Sequence, residues 1–470
     1  MNVSYRDRHE RNFIALIGAM AIVVGTLTAI LNISEDNYNS AGALLIPGLI
    51  LAVSLVLPTL LKIRNDARRL LRGENILLYG LVYWVLLDIL QGLVPMTAGP
   101  EAIVAAFALL GVAALGFWVG ASYGFELKVN FLVEEALRPL SDGRLFLLTL
   151  IAFLLGSWDF FYRSGFDIGL VFESLQAARF EAPWQRDQLG DWSAFSQHLQ
   201  YFGFMVPALA VLTYLRRGPL HLPTLASLVM AITILVFNGQ GGGRRIVGAM
   251  MLAGMFCWII YVRRIKLKQF LIAVSVGAGI LGLLQFMLLW RNVGIADVSS
   301  ALGEFEYIHV DDNFVHIAEM LEFVPDIYPY VGWQYVLYTI VRPIPRVLWP
   351  GKPTDSGFDL AEALGIHGTV FAITAPGEFF VSHGYIAVFL GSWVYGKLAT
   401  AVNSLFGEFG KPVNPVFPAL GLVWLFVGIR SMVEIILMGY VILFAFLLSR
   451  AMDIVDSIAT GVRARGSRAR

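Results

Sequence analysis

Cysteine is almost missing from this sequence: one residue in 470, Cys257, set inside an apolar run. A single thiol supports neither a disulfide framework nor a paired-thiolate metal site. Charge is scarce as well, at 14% of residues against roughly 25% in soluble domains. Lysine plus arginine and aspartate plus glutamate number 34 each, so no bulk electrostatic argument exists for nucleic acid as a partner. Internal repeats, low-complexity tracts and linkers are lacking, and the chain reads as one membrane domain over residues 1–470. Nothing calls for a cofactor. No pair of histidines or acids has a specific ligand spacing, Asp311 and Asp312 being only adjacent, so no metal is expected.

What the chain has in excess is apolar surface, 57% of residues with a mean hydropathy of +0.71. A water-soluble fold has nowhere to bury it, so the bilayer must serve as solvent and the fold class is all-α, a polytopic integral membrane protein. Apolar stretches long enough to cross lie near 13–31, 41–61, 76–94, 102–122, 145–162, 199–215, 222–238, 246–262, 269–290, 384–403, 415–429 and 433–449, about twelve transmembrane helices. The first follows Arg6, Arg8 and Arg11 and is too long for a signal-peptide core, so it reads as a retained helix.

Charge tests this layout. With the N-terminus inside, the inner segments (1–12, 62–75, 123–144, 216–221, 263–268, 397–414, 450–470) collect most of the basic residues. Only Arg163, Arg179, Arg186, Arg244, Arg245, Arg291, Arg342, Arg346, Lys352 and Arg430 remain outside, while acids favour the outer segments. This positive-inside bias places both termini in the cytoplasm, with the chain in the cytoplasmic membrane. Two outer segments are long. Residues 163–198 contain Phe166 to Phe180, where Val171, Leu175 and Ala178 recur at helical spacing and predict an amphipathic surface helix. Residues 291–382 are too long for a structureless connection and predict short helices at Asn313–Phe323 and Trp333–Val341.

Two basic groups on the outer side suit an anion. Arg244 and Arg245 end the run Asn238-Gly-Gln-Gly-Gly-Gly-Arg-Arg245 and precede a helix predicted from Ile246. Glycines permit close backbone approach, a helix N-terminus adds partial positive charge, and guanidiniums give bidentate donors. No Gly-Lys-Ser/Thr follows, so this is no nucleotide P-loop; the bland alternative is a flexible turn with two membrane-edge arginines. The second group is Val341-Arg-Pro-Ile-Pro-Arg-Val-Leu-Trp-Pro-Gly-Lys-Pro353, whose prolines predict a stiff, extended path carrying Arg342, Arg346 and Lys352. A structural, proline-rich surface loop is the alternative there. Tyr307, Tyr328, Tyr330, Trp333 and Trp349 could stack on sugars, but they fit an interfacial aromatic belt better. Asp88, alone within a span, suggests an interhelical hydrogen bond. Asp159 and Glu434 are boundary acids suited to pairing with arginines such as Arg430.

The Arg-Pro-Ile-Pro-Arg-x-Leu-Trp-Pro-x-Lys-Pro segment resembles the signature of the Wzy-type O-antigen and oligosaccharide repeat-unit polymerases. Thr374-Ala-Pro-Gly-Glu-Phe-Phe380 and His383-Gly-Tyr385 resemble the segment that follows it in that family. The likeness covers about 342–396, extends loosely to 239–245 and is architectural elsewhere. It implies a GT-C-like membrane fold with a large periplasmic loop over 291–382 carrying the site. It also implies glycosyl transfer between polyprenyl-diphosphate-linked glycans, for O-antigen, capsule or exopolysaccharide. Partners would be those lipid-linked glycans, membrane lipid, and a chain-length regulator and flippase of the same pathway. Arg244, Arg245, Arg342 and Arg346 would hold the diphosphate, with Lys352 and Arg430 as further ligands. Glu378, then His367 and His383, are the candidate catalytic bases. An O-antigen ligase uses the same arginine logic. A lipid-linked oligosaccharide flippase or other transporter would instead show internal repeats and charges along a mid-membrane path.

Overall fold

A computed structural model describes all of the chain except residues 1, 35, 41, 61–66, 93–95, 177–196, 240–242, 263–265, 294–307, 345, 347, 408–413 and 469–470. The described residues are helical, with no strand among them. In chain order the helices are α1 (Asn2–Leu31), α2 (Leu45–Leu60), α3 (Gly73–Leu81), α4 (Pro100–Ser122), α5 (Asn130–Leu137), α6 (Asp142–Arg163), α7 (Ile168–Gln176), α8 (Gln200–Gly203), α9 (Val206–Arg217), α10 (Leu222–Gly239), α11 (Arg244–Val262), α12 (Leu267–Val293), α13 (Asn313–Phe323), α14 (Trp333–Val341), α15 (Leu360–Ala363), α16 (Thr374–Ser404), α17 (Val416–Gly428) and α18 (Met432–Arg468). Among the described residues eight helices are long and apolar enough to cross a membrane, and α2, α3 with its continuation to Leu86, and α17 are shorter apolar helices. This is the architecture of a polytopic membrane protein.

Expected spans and observed helices differ in instructive places. The stretch 76–94 is not one helix: α3 passes into a π-helical turn at Val82–Leu86 and a 3₁₀ turn at Ile89–Gln91, closed by Gly92 at φ 70°. The stretch 199–215 is split between α8 and α9. The span near 384–403 begins ten residues early, as α16 runs from Thr374 and breaks at His383 and Gly384 (φ 68°). Hydropathy sees none of these breaks, because the residues on either side are equally apolar. The short helices foreseen in 291–382 are present as α13 and α14. Of the surface helix foreseen at Phe166–Phe180, α7 is observed with Val171 and Ser174 buried; Phe166, at φ 63°, stands in the turn before it, and residues 177–180 lie outside the described residues.

Although the sequence reads as one domain, its contacts divide it into two compact units. The first comprises residues 1–129, 301–404 and 422–437; the second comprises 130–300, 405–421 and 438–470.

In the first unit α4 and α16 share the most extensive helix contact. Their backbones approach so closely that a Cβ on Gly396 would stand 2.4 Å from the Phe117 carbonyl oxygen, and one on Gly120 only 2.2 Å from that of Trp393. Helices in lipid gain little from the hydrophobic effect, so small residues that allow such packing hold them together. At the end of this contact the buried Lys397 ammonium donates to the Tyr123 and Phe125 (2.8 Å) carbonyls, satisfying the chain as it leaves α4.

In the second unit, α6, α9, α10 and α11 pack together. At one end, Arg138, Arg144 and Arg450 surround Asp453 and the buried Glu135, while Arg216 and Arg217 pair with Asp142 (3.8 and 3.2 Å). All five arginines come from segments that the charge bias assigns to a single side, and here they gather at one place.

Replacing Gly396 with valine forces side-chain atoms into the Phe117 and Gly120 backbone. Overpacking of this kind costs about 1–3 kcal/mol, so a lowered thermal midpoint in detergent is expected. Gly277→Ala on α12, with nothing within 4 Å of the new Cβ, is expected to leave it unchanged. Thermal melts followed by light scattering and gel filtration measure both.

Candidate functional site

Two buried carboxylates of the first unit are occupied with backbone amides. Asp88, where the helix unwinds, accepts from the N–H groups of Val310 (3.0 Å) and Asp312 (3.1 Å). Gln91 brackets Ile308 from both sides, accepting from its N–H at 2.7 Å and donating to its carbonyl at 3.0 Å. Asn313 Nδ2 donates to the Trp84 carbonyl at 2.6 Å, inside the π-helical turn. The irregular end of one helix therefore holds the stretch 308–313 that leads into α13. Asp88 thus ties a helix to a connection rather than two spans to each other.

Glu378 plays the matching part. It is 4% exposed on the first turns of α16, and its carboxylate accepts from the Ser431 hydroxyl (2.6 Å) and the Met432 N–H (2.5 Å). These donors belong to the start of α18, so Glu378 caps that helix from a neighbouring one. The Tyr335 hydroxyl of α14 completes the set. Burial, and then the charge of Glu378, pushes the Tyr335 phenol well above its usual range. With its oxygens engaged by three donors, Glu378 ties α14 and α18 together in a helix-capping arrangement.

Arg430, expected among the diphosphate ligands, sits between α17 and α18 with its Nε 2.6 Å from the Asp311 carboxylate. The charges of Glu434 and Glu378 act on it as well. Its charge is balanced by Asp311 within the fold. Asp159 pairs with Arg163 at 2.8 Å.

The proline-rich segment is a succession of turns instead of an extended path. Arg342 N–H donates to Thr339 O, Ile344 N–H to Val341 O (2.9 Å) and Lys352 N–H to Trp349 O (3.2 Å). Proline's fixed φ serves the second position of a turn as readily as an extended strand. The Lys352 ammonium folds back and donates to the carbonyls of Arg342 (3.0 Å) and Ile344 (2.6 Å). The Arg342 guanidinium lies over the Tyr338 ring, 5.0 Å from its centroid, and hydrogen-bonds its hydroxyl. Arg346 is half-buried nearby. Burial, then the positive charges of Arg342 and Arg346, pulls Lys352 below the usual lysine range. Among the described residues no acid forms an ion pair with any of the three. The turn thus brings three cations near one another, with no acid partner among the described residues.

Arg244 and Arg245 belong to the second unit and form the first turn of α11, two residues earlier than the helix start foreseen at Ile246. Each carries further polar or electrostatic interactions within the protein. His367 is exposed in the turn after α15, and His383 is exposed at the break in α16, its ring 5.2 Å from that of Trp333. Arg179, Arg186 and Tyr307 fall outside the described residues.

Sequence reasoning passed over His316 and Tyr335. His316 stacks on Phe371 at 4.4 Å, with Nδ1 buried and lacking a hydrogen-bond partner among the described residues. Burial lowers its pKa, against the opposing charges of Glu319, Asp312 and Asp311. The spacing Asp312-x-x-x-His316 on a foreseen helix was the available signal. For Tyr335 there was none, since its partner is 43 positions away in sequence.

Because the Glu378 carboxylate is engaged by three donors, Glu378→Gln is expected to act on stability. The amide leaves a buried donor without its acceptor, a loss of about 1–3 kcal/mol. A lower thermal midpoint, with activity kept at a permissive temperature, is the expected pair of readings.

No family model matches the chain, and neither a curated protein nor a solved structure matches it.

Proposed function

We propose that this protein is a glycosyltransferase of the bacterial inner membrane that polymerises lipid-linked oligosaccharide repeat units. The observation that carries the reading is the turn holding Arg342, Arg346 and Lys352. It is a cationic group with no acid partner among the described residues, on the segment that resembles the signature of the repeat-unit polymerases. In this reading the long connection 291–382 faces the periplasm, and both termini lie in the cytoplasm. The shorter apolar helices and α9 complete about twelve crossings of a GT-C-like fold.

The chemistry follows from the charges. An acceptor sugar hydroxyl attacks C1 of the donor glycan. The bond from C1 to the diphosphate oxygen breaks, and the polyprenyl diphosphate leaves with the electron pair while the hydroxyl gives up its proton. The leaving group gains negative charge as the bond lengthens, and fixed guanidiniums stabilise that charge without metal or nucleotide. Arg342 and Arg346 are the ligands this reading favours. Lys352, whose ammonium is held on two carbonyls, adds charge and shapes the turn. Arg430 leaves the set because Asp311 neutralises it. With Glu378 engaged as a cap, His367 and His383 are the exposed groups left for proton transfer.

Deleting the gene should remove the ladder of long surface glycans and retain a single-repeat band on gels. Restoring the gene with Arg342→Ala or Arg346→Ala should keep that single band at normal protein levels. A full ladder from both variants would refute the assignment, and loss of the single band on deletion would point to a ligase or flippase.

A pH dependence follows from Lys352. Its folded pKa is lowered, so the protonated form is held at a cost, which is relieved as pH rises through that lowered value. A bound anion favours the protonated form. Affinity for inorganic pyrophosphate should therefore fall as pH rises through the lowered lysine pKa, at a pH below that of an ordinary lysine. Lys352→Arg should flatten the fall, because guanidinium stays charged. Calorimetric titration across pH measures both.

A further inference from the structure

Helix α14 presents two unlike faces. Tyr335 and Thr339 are buried, and the helix packs on α16. On the opposite face Trp333, Leu337 and Ile340 are 74, 45 and 58% exposed, at helical spacings of four and three. Leu348 and Trp349, in the turns that follow, are exposed too. At nine residues the helix is roughly 14 Å long, far too short to cross a bilayer.

The start of α14 is fixed by hydrogen bonds. Breaking α16 at His383 and Gly384 frees the carbonyls of Val381 and Ser382, and these accept from the N–H groups of Val331 and Gly332, each at 3.0 Å. Tyr330 fits against Gly384, where a Cβ would stand 2.9 Å from its hydroxyl. Beyond the break α16 continues as an apolar helix with Ile386, Leu390 and Val394 exposed at four-residue intervals. In a membrane helix such a strip faces lipid. Trp333, in contact with His383, stands where that strip begins. At the far end of α14 come the three cations of the proline-rich turn, which have no acid partner among the described residues.

We propose that α14 is an interfacial helix. Its Trp333–Leu337–Ile340 strip is sunk into the acyl boundary of the leaflet, with Arg342, Arg346 and Lys352 at the depth of anionic phospholipid phosphates. The residue types fit that depth. Tryptophan and tyrosine favour the membrane–water boundary, and cations beside an apolar strip bind anionic lipid surfaces. The proposal adds a lipid partner for the same three cations that the transfer reading uses, and its test involves no glycan.

The lone cysteine makes the test clean. In a Cys257→Ala background, nitroxide labels are attached singly to Leu337→Cys and Ile340→Cys. Leu390→Cys serves as lipid reference and Thr354→Cys, on an exposed turn, as water reference. Each protein is purified as a monodisperse species and reconstituted into vesicles of phosphatidylcholine with phosphatidylglycerol. Power-saturation spectra then compare collisions with oxygen and with a water-soluble nickel chelate. Labels at 337 and 340 are expected to match position 390, rich in oxygen and poor in nickel. In vesicles of phosphatidylcholine alone they should shift toward position 354. Nickel exposure equal to position 354 in both vesicles would overturn the proposal. So would shielding from both reagents with dipolar coupling between labels, since a second copy of the chain would then cover the strip. An unchanged depth in neutral vesicles would overturn the assignment to anionic lipid.

Discussion

An amide N–H in an apolar medium has nowhere to go for a partner except the protein itself, and the first unit is organised around that constraint. A buried amide left alone costs several kcal/mol in hydrocarbon. Three places in this unit where a helix breaks or begins are each met by a specific group. Where α3 unwinds through the π and 3₁₀ turns, Asp88, Gln91 and the Trp84 carbonyl take up residues 308–313. Where α18 begins, Glu378 reaches across to supply the acceptor. Where α16 breaks, Val331 and Gly332 occupy its freed carbonyls. Parts of the connection between α12 and α16 are in this way fastened at successive points to the helices they pass over.

This fastening explains the unequal fate of the charged residues. Acids such as Asp88 and Glu378 are spent on the backbone, and Asp311 is spent on Arg430. The cations of the proline-rich turn have no acid partner among the described residues, although acids are as numerous as bases in the whole chain. Carboxylates accept hydrogen bonds from amides and can be absorbed by a helix end; guanidiniums can only donate, and helix starts offer them nothing. Arg342 rests on the aromatic ring of Tyr338, which holds the side chain in place and leaves its charge unneutralised.

Legibility in the sequence followed the range of the interaction. The helices at Asn313–Phe323 and Trp333–Val341 were readable to the residue because apolar spacing and the adjacent breakers, Pro325 and Pro343, are local. The cationic turn was readable as a motif, while its conformation was not, since proline's φ suits both a turn and an extended path. Glu378 stood out in a recognisable segment, but its partners Ser431, Met432 and Tyr335 lie 43 to 54 positions away, so the sequence could not name the helices it joins.

The sequence by itself determined the solvent: with charge at 14% of residues and a mean hydropathy of +0.71, no fold could keep this chain in water. Composition and local spacing are properties of the chain alone, so they also settled that the protein is helical and where most helices run. Only the tertiary structure decided which polar groups are spent on the fold and which remain available. That division depends on which amides are left over when helices break, and on which side chains distant in sequence arrive close enough to take them.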